Sequence, residues 1–323
     1  MLILTEAQVA ELLNASDALA AVESAFRAQA EQRAQLPMRR AVHIPKGLLG
    51  SMPGAILDGQ PSLGAKLVTF FPGNAELQKH THQALIALFD TETGAPIAMM
   101  DGRFITEIRT AAASAAATRA LAGETRKTLA ILGAGVQARA HIQSHARIMR
   151  LADIRLWSRN RLRAEKLARE MRDIGLPARV LDSPVLACDQ ADVICTTTAS
   201  RDALLKRDDV RPGAHINAVG ASTPKHREIG ADLMSAASIF VDSIEGALNE
   251  AGDILFAIRE GALPDAPRLT LLADVIAGKT VGRTSADEIT LFESLGIALE
   301  DMACAWIVYD RAKTRKIGTE IEL

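Results

Sequence analysis

The chain has 323 residues, 48% of them hydrophobic and 24% charged, with a formal net charge of −2. This is ordinary globular composition, long enough for two domains of roughly 150 residues each. The small net charge argues against nucleic acid or an anionic membrane as partner, and no apolar run approaches the ~20 residues that span a bilayer. The opening Met1-Leu-Ile-Leu-Thr-Glu6 lacks the basic start and long apolar core of a secretion signal, so a cytoplasmic location is expected. Residues 5–33 read as two amphipathic helices, with Asp17 placed to cap the second. Between 39 and 105, β-type runs at 41–44, 48–52, 65–71, 83–90 and 96–101 are separated by Pro53-Gly54, Pro72-Gly-Asn74 and Thr93-Gly-Ala-Pro96. Strands without intervening helices predict an antiparallel sheet.

Residues 106–122 form an alanine-rich helical stretch that leads into Gly123-Glu-Thr-Arg-Lys127, a natural domain boundary. Strands and helices then alternate: strand 128–133, helix 135–150, strand 154–157, helix 160–174, strand 178–180, a helix near 183–189, and strands beginning at Val193, His215 and Ile239. That alternation predicts a doubly wound parallel sheet. A final helix at 294–313 is expected to return to the N-terminal domain. Cys188, Cys195 and Cys304 make no Cys-x-x-Cys pair and read as reduced, buried thiols.

The strand at 128–133 ends in Gly133-Ala134-Gly135-Val136-Gln137-Ala138 and opens a helix. This is the dinucleotide fingerprint in its proper context. Gly133 permits the tight turn, Gly135 lets the backbone approach a pyrophosphate, and Ala138 is small enough for close helix–strand packing. The helix N-terminus adds free N–H groups and a partial positive charge. An NAD-preferring fold carries an acidic residue at the end of the second strand. Here that strand ends in Ser158-Arg159-Asn160, which suits a 2′-phosphate and predicts NADPH, with NADH possible. Arg161, Arg163 and the arginines beyond them read as the solvated face of a helix.

Several segments resemble the ornithine cyclodeaminase/μ-crystallin family: Pro37-Met-Arg39, Gly50-Ser-Met-Pro53, Lys66-Leu-Val-Thr-Phe-Phe71, His82-Gln83, Met100-Asp-Gly102 and Ile105-Thr-Glu-Ile-Arg109. Downstream, Pro212-Gly-Ala-His-Ile-Asn-Ala-Val-Gly-Ala-Ser222, Val241-Asp-Ser243 and Ser294-Leu-Gly296 continue the match in order. The likeness is stronger to the μ-crystallin branch of ketimine reductases than to true cyclodeaminases. It implies an α/β fold in which a Rossmann domain (123–296) is joined to a mainly antiparallel α+β domain for substrate binding and dimerisation (1–122, completed by 297–323). It also implies a homodimer. The resemblance assigns Arg39, Lys66 and Arg109 to the substrate, and Thr81, His82, Thr198, Ser222 and Ser294 to the cofactor. Such cations would hold the carboxylate of a small cyclic imino acid, and a lysine among apolar neighbours could titrate in a useful range. On residue type alone, Lys66 could equally be an edge-strand lysine reaching solvent.

Two departures separate the chain from cyclodeaminases. Ser222 stands where they carry an aspartate, and Ser51 where they carry a glutamate. Neither serine can act as a carboxylate base. The resemblance therefore implies NADPH-dependent reduction of Δ1-pyrroline-2-carboxylate or Δ1-piperideine-2-carboxylate to L-proline or L-pipecolate. The alternatives are cyclodeamination of ornithine, an alanine dehydrogenase-like reaction, and a non-catalytic NADPH-dependent binding protein. His141 and His145 have zincin spacing, but Ile142 occupies the glutamate position, and His80 with His82 lacks a third ligand, so no metal is expected.

Overall fold

The computed structural model describes residues 1–59, 61–122 and 127–322; most of the expected boundary segment, 123–126, lies outside them. Two compact units divide the chain: Met1–Thr110 with Gly296–Leu323, and Ala111–Leu295.

The first unit opens with strand β1 (Leu2–Leu4) and helices α1 (Glu6–Leu12) and α2 (Ala15–Ala30). Asn14, not Asp17, caps α2: its Oδ1 accepts from the N–H groups of Ser16 at 2.9 Å and Asp17 at 3.1 Å. The helix begins three residues before Ala18, so Asp17 sits in its first turn, where it favours the helix dipole. The strands that follow are β2 (Ala34–Gln35), β3 (Arg40–Ile44), β4 (Gly47–Ile56), β5 (Ser62–Phe70), β6 (His82–Phe89) and β7 (Pro96–Asp101). Neighbouring pairs are antiparallel, except that β1 joins β7 in parallel. Helix α3 (Arg103–Leu121) begins in this unit and continues into the next.

The chain returns with α11 (Ala298–Arg315), followed by a short strand β16 (Thr319–Glu320) that pairs with β1. Helix α11 packs on α2 and on β4 and β5. Two strand glycines make that approach possible. A Cβ on Gly54 would lie 2.9 Å from the Ala298 Cβ, and one on Gly64 would lie 2.8 Å from the Met302 Sδ. Side chains alternate across each strand. Met52, Lys66, Ile86 and Met100 therefore share the inner face, where they are buried.

The second unit holds β8 (Thr128–Leu132), α4 (Val136–Ile148), β9 (Asp153–Trp157), α5 (Arg161–Asp173), β10 (Ala178–Val180), α6 (Pro184–Cys188), β11 (Val193–Thr196) and β12 (His215–Ala218). These are followed by α7 (Ala231–Ala236), β13 (Ser238–Val241), α8 (Ile244–Glu250), α9 (Gly252–Arg259), β14 (Thr270–Leu271), α10 (Leu272–Ile276) and β15 (Thr290–Glu293). All its strand pairs are parallel, in the order β10-β9-β8-β11-β12-β15-β13-β14. This is the doubly wound Rossmann architecture. The order reverses between β8 and β11, and such switch points are where ligands bind, outside the carboxyl ends of the strands. Strand β15 lies just before the helix expected at 294–313 and is not among the strands expected from the sequence. Four buried residues, Thr290-Leu-Phe-Glu293, complete the sheet there, and the helix starts only at Ala298.

Candidate active site

Lys66 lies in the interior of its sheet, between β4 and β6, and is 1% exposed. It is not a snorkelling edge residue. Its ammonium is 2.7 Å from Asp301 Oδ2. Asp301 Oδ1 accepts from Arg109 Nε at 3.1 Å, and Glu300 Oε2 accepts from Arg109 Nη1 at 2.7 Å. Strand β5, helix α3 and the first turn of α11 thus bring two cations and two carboxylates together out of water. Burial, and then the Arg109 charge, pull the Lys66 ammonium down to about 8 against the upward pull of Asp301 and Glu300. Gly296 makes room for the guanidinium. Its φ is +78°, and a Cβ there would lie 2.1 Å from Arg109 Nη1.

The sequence reading found both cations but missed Glu300 and Asp301. The only available signal was a pair of adjacent carboxylates entering an otherwise apolar run, which reads more simply as first-turn acids.

The resemblance assigns Arg39 to the substrate, and Thr81 and His82 to the cofactor. Arg39 is half-buried and precedes β3. Arg40 starts that strand opposite Ser51, which in turn pairs with Leu67. Ser51 and Arg40 therefore face away from Lys66. Ser51 consequently says nothing about the charge around Lys66; the strand alternation that decides this is not visible at one sequence position. His82 shares the face of Lys66, and its ring lies 4.5 Å from that of Phe70. Thr81 Oγ1 is 3.3 Å from His82 Nδ1.

In the second unit the fingerprint takes the geometry its residues predict. Gly133 has φ +126°, and a Cβ there would lie 2.5 Å from Thr197 Oγ1. Gly135 is the N-cap of α4, supplies no side-chain cap, and has open space where a Cβ would stand. The first N–H groups of α4 thus form an uncovered cradle of the kind that takes a pyrophosphate. Ala134 is half-buried, Val136 is exposed, Gln137 follows in the first turn of α4, and Ala138 is fully buried.

At the end of β9, Ser158 Oγ accepts from Asn160 N–H at 3.3 Å, and Asn160 Oδ1 caps α5 through Arg163 N–H at 3.1 Å. Arg159 is exposed. Arg161 is spent on Glu165 and Asp182. Ser294 lies just past the carboxyl end of β15, where its hydroxyl is buried with no hydrogen-bond partner among the described residues. A buried hydroxyl left unpaired is costly unless a ligand completes it. Thr198 and Ser222 follow the carboxyl ends of β11 and β12. A dinucleotide therefore fits this set.

His141 and His145 are fully buried and committed elsewhere. Their Nε2 atoms meet Ser114 Oγ at 2.9 Å and Thr118 Oγ1 at 3.0 Å. Among the described residues, no group of three or more His, Cys, Asp or Glu side chains could hold a metal ion. Nor is any helix long and apolar enough to cross a membrane. The three thiols are buried, and burial raises their pKa, that of Cys195 to about 12.

Comparison with known proteins agrees with this architecture. Ketimine reductase mu-crystallin of Mus musculus is 41% identical over 276 residues, covering 85% of this chain and 84% of that one. An alanine dehydrogenase of Archaeoglobus fulgidus is 34% identical over 321 residues, covering 99% and 98%. A solved structure of Thermococcus litoralis Δ(1)-pyrroline-2-carboxylate reductase, in complex with NADH and L-proline, superposes with a TM-score of 0.95 at 33% identity, covering 99% of this chain and 100% of that one. The profile of the ornithine cyclodeaminase/mu-crystallin family matches residues 1–316, and the chain belongs to that family.

Proposed function

We propose that the protein is an NADPH-dependent reductase of cyclic ketimines, converting Δ1-pyrroline-2-carboxylate or Δ1-piperideine-2-carboxylate to L-proline or L-pipecolate. The observation that carries this reading is the buried Lys66–Asp301–Arg109 cluster on the inner face of the first unit's sheet. Arg109, Arg39 and Lys66 hold the substrate carboxylate, which fixes the orientation of the adjoining C=N bond. Lys66, poised near neutrality by burial, is the proton source at the ring nitrogen. A nicotinamide cofactor, when held by the second unit, would supply the hydride for C2. Within the second unit, the uncovered amides of α4, the open space at Gly135 and the buried Ser294 hydroxyl would hold the cofactor, with Thr198 and Ser222 past the ends of β11 and β12; Thr81 and His82 are assigned to the cofactor by the family resemblance. Ser158 and Arg159 take the 2′-phosphate, which favours NADPH over NADH. The first unit thus serves substrate and dimerisation and the second serves the cofactor. The protein acts as a homodimer.

A second reading, reductive amination of pyruvate, is favoured by the alanine dehydrogenase relative, which matches nearly the whole chain. Both readings are tested by following NADPH and NADH oxidation with each cyclic imine and with pyruvate plus ammonia. Faster turnover of an imine with NADPH supports the proposal. Faster turnover of pyruvate with ammonia selects the second reading, and ammonia release from ornithine on added NAD overturns both. Lys66→Ala should lower turnover at least 100-fold with NADPH affinity nearly unchanged. Intact turnover in that variant would make Lys66 structural.

A further inference from the structure

We propose that Glu228 is a positioning residue for the nicotinamide half of the cofactor, fixing the spacing of the loops that follow β11 and β12. The inference rests on the nicotinamide cofactor but not on the identity of the substrate.

Glu228 is completely buried, on the segment between β12 and α7. Its carboxylate is satisfied from two loops. Oε1 accepts from the Thr198 N–H at 2.7 Å and the Thr198 hydroxyl at 2.6 Å, and Oε2 accepts from the Gly220 N–H at 2.7 Å. The backbone beneath is pinned as well. The N–H groups of Glu228 and Ile229 donate to Asp253 Oδ1 at 2.8 and 2.9 Å, and the Glu228 carbonyl accepts from Leu204 N–H at 2.7 Å. There is no slack between the loops: a Cβ on Gly220 would lie 2.0 Å from the Thr198 carbonyl oxygen and 2.6 Å from Glu228 Oε2.

A carboxylate removed from water is tolerated only when donors satisfy it, and the Thr198 and Gly220 donors belong to the two loops being joined. The loops occupy a particular place in the sheet. In a doubly wound fold the strands on one side of the switch point serve the adenosine half of a dinucleotide, and those on the other side serve the second nucleotide. Strand β9, ending at Ser158, is on the adenosine side, whereas β11 and β12 are on the other. Glu228 therefore acts on one half of the cofactor through Thr198 and Gly220, without touching the phosphate cradle at Gly135.

Glu228→Gln tests this, because glutamine offers one acceptor oxygen and must turn its NH2 group toward an N–H donor on one of the loops. Dissociation constants are measured by fluorescence or calorimetry for NADPH and 2′-phospho-ADP-ribose, and for NADH and ADP-ribose. The expected result is a tenfold or greater loss for each reduced cofactor, with each ADP-ribose within twofold of the wild type. A parallel loss of both members of a pair, or no loss in either, overturns the proposal, since a merely structural brace has no reason to discriminate between them. If Glu228→Gln does not fold, Glu228→Asp decides by the same criterion. It keeps the charge but is one methylene too short to span both loops. Failure of the wild type to bind any of the four probes would instead count against the cofactor reading itself.

Discussion

In the proposed reaction, Lys66 and Asp301 form the pair on which the first unit's chemistry would turn. A lysine that is 1% exposed would lose its proton readily, and Asp301 opposes that loss by holding the ammonium at 2.7 Å. If Lys66 protonates the substrate, turnover falls as pH rises through its pKa of about 8. Asp301→Asn removes an upward pull on that pKa while keeping the side chain's shape. The alkaline limb of the kcat profile should therefore move to lower pH; a limb that stays in place would show that another group donates. Truncating Lys66 has a structural cost too, because it leaves Asp301 buried with only Arg109, and breaking such a pair typically costs about 3–5 kcal/mol. Turnover of Lys66→Ala should therefore be read alongside its thermal stability.

Within the second unit, α3 and α4 are joined by polar pairs rather than apolar ridges alone. His141 meets Ser114, and His145 meets Thr118, which also accepts from Asn217 Nδ2 at 3.0 Å. Burial holds His141 at about 3 and His145 at about 4, so both are neutral in the folded protein near pH 7. In the unfolded chain they take up protons near the ordinary value of about 6.5. Between that value and their folded pKa values the unfolded state binds more protons, so stability must fall as pH drops below about 6.5. Each histidine adds a slope approaching ~1.4 kcal/mol per pH unit. Thermal unfolding from pH 7.5 to 4.5 should show this decline, and it should be shallower in His141→Gln/His145→Gln. A wild-type midpoint that does not change with pH would refute the account. The same alternation that buries Lys66 also settles Ser51, which belongs to the opposite face of β4.

At the scale of the whole molecule, the outer face of the first unit's sheet is the feature that asks for a partner. Val42 is 66% exposed, Ile44 53%, Leu49 45% and Leu67 41%, all on β3, β4 and β5. An exposed apolar surface of this kind marks an interaction site, and in the proposed homodimer a second copy of the chain would cover it under two-fold symmetry. Light scattering coupled to size exclusion should therefore give about twice the 34.5 kDa chain mass. Val42→Glu/Ile44→Glu should shift the protein to monomer, because it buries like charges across the axis. A variant that stays dimeric would move the interface elsewhere.

The sequence by itself determined the class of each unit. Short β-runs punctuated by Pro and Gly could only make a mainly antiparallel sheet, and strands alternating with helices could only make a parallel one. It also determined the dinucleotide turn, because Gly133, Gly135 and Ala138 act locally through backbone conformation and the absence of a side chain. Tertiary structure decided what the charged residues do. Glu300 and Asp301 lie more than 190 residues from Arg109, and nothing local distinguishes them from helix-start acids until α11 docks on β5. Glu228 gives no sign in the sequence of joining Thr198 to Gly220, because the contact exists only once β11 and β12 lie side by side. Backbone propensity is read from neighbours in the chain. The pairing and burial of a charge are set by neighbours in space, and only the fold supplies those.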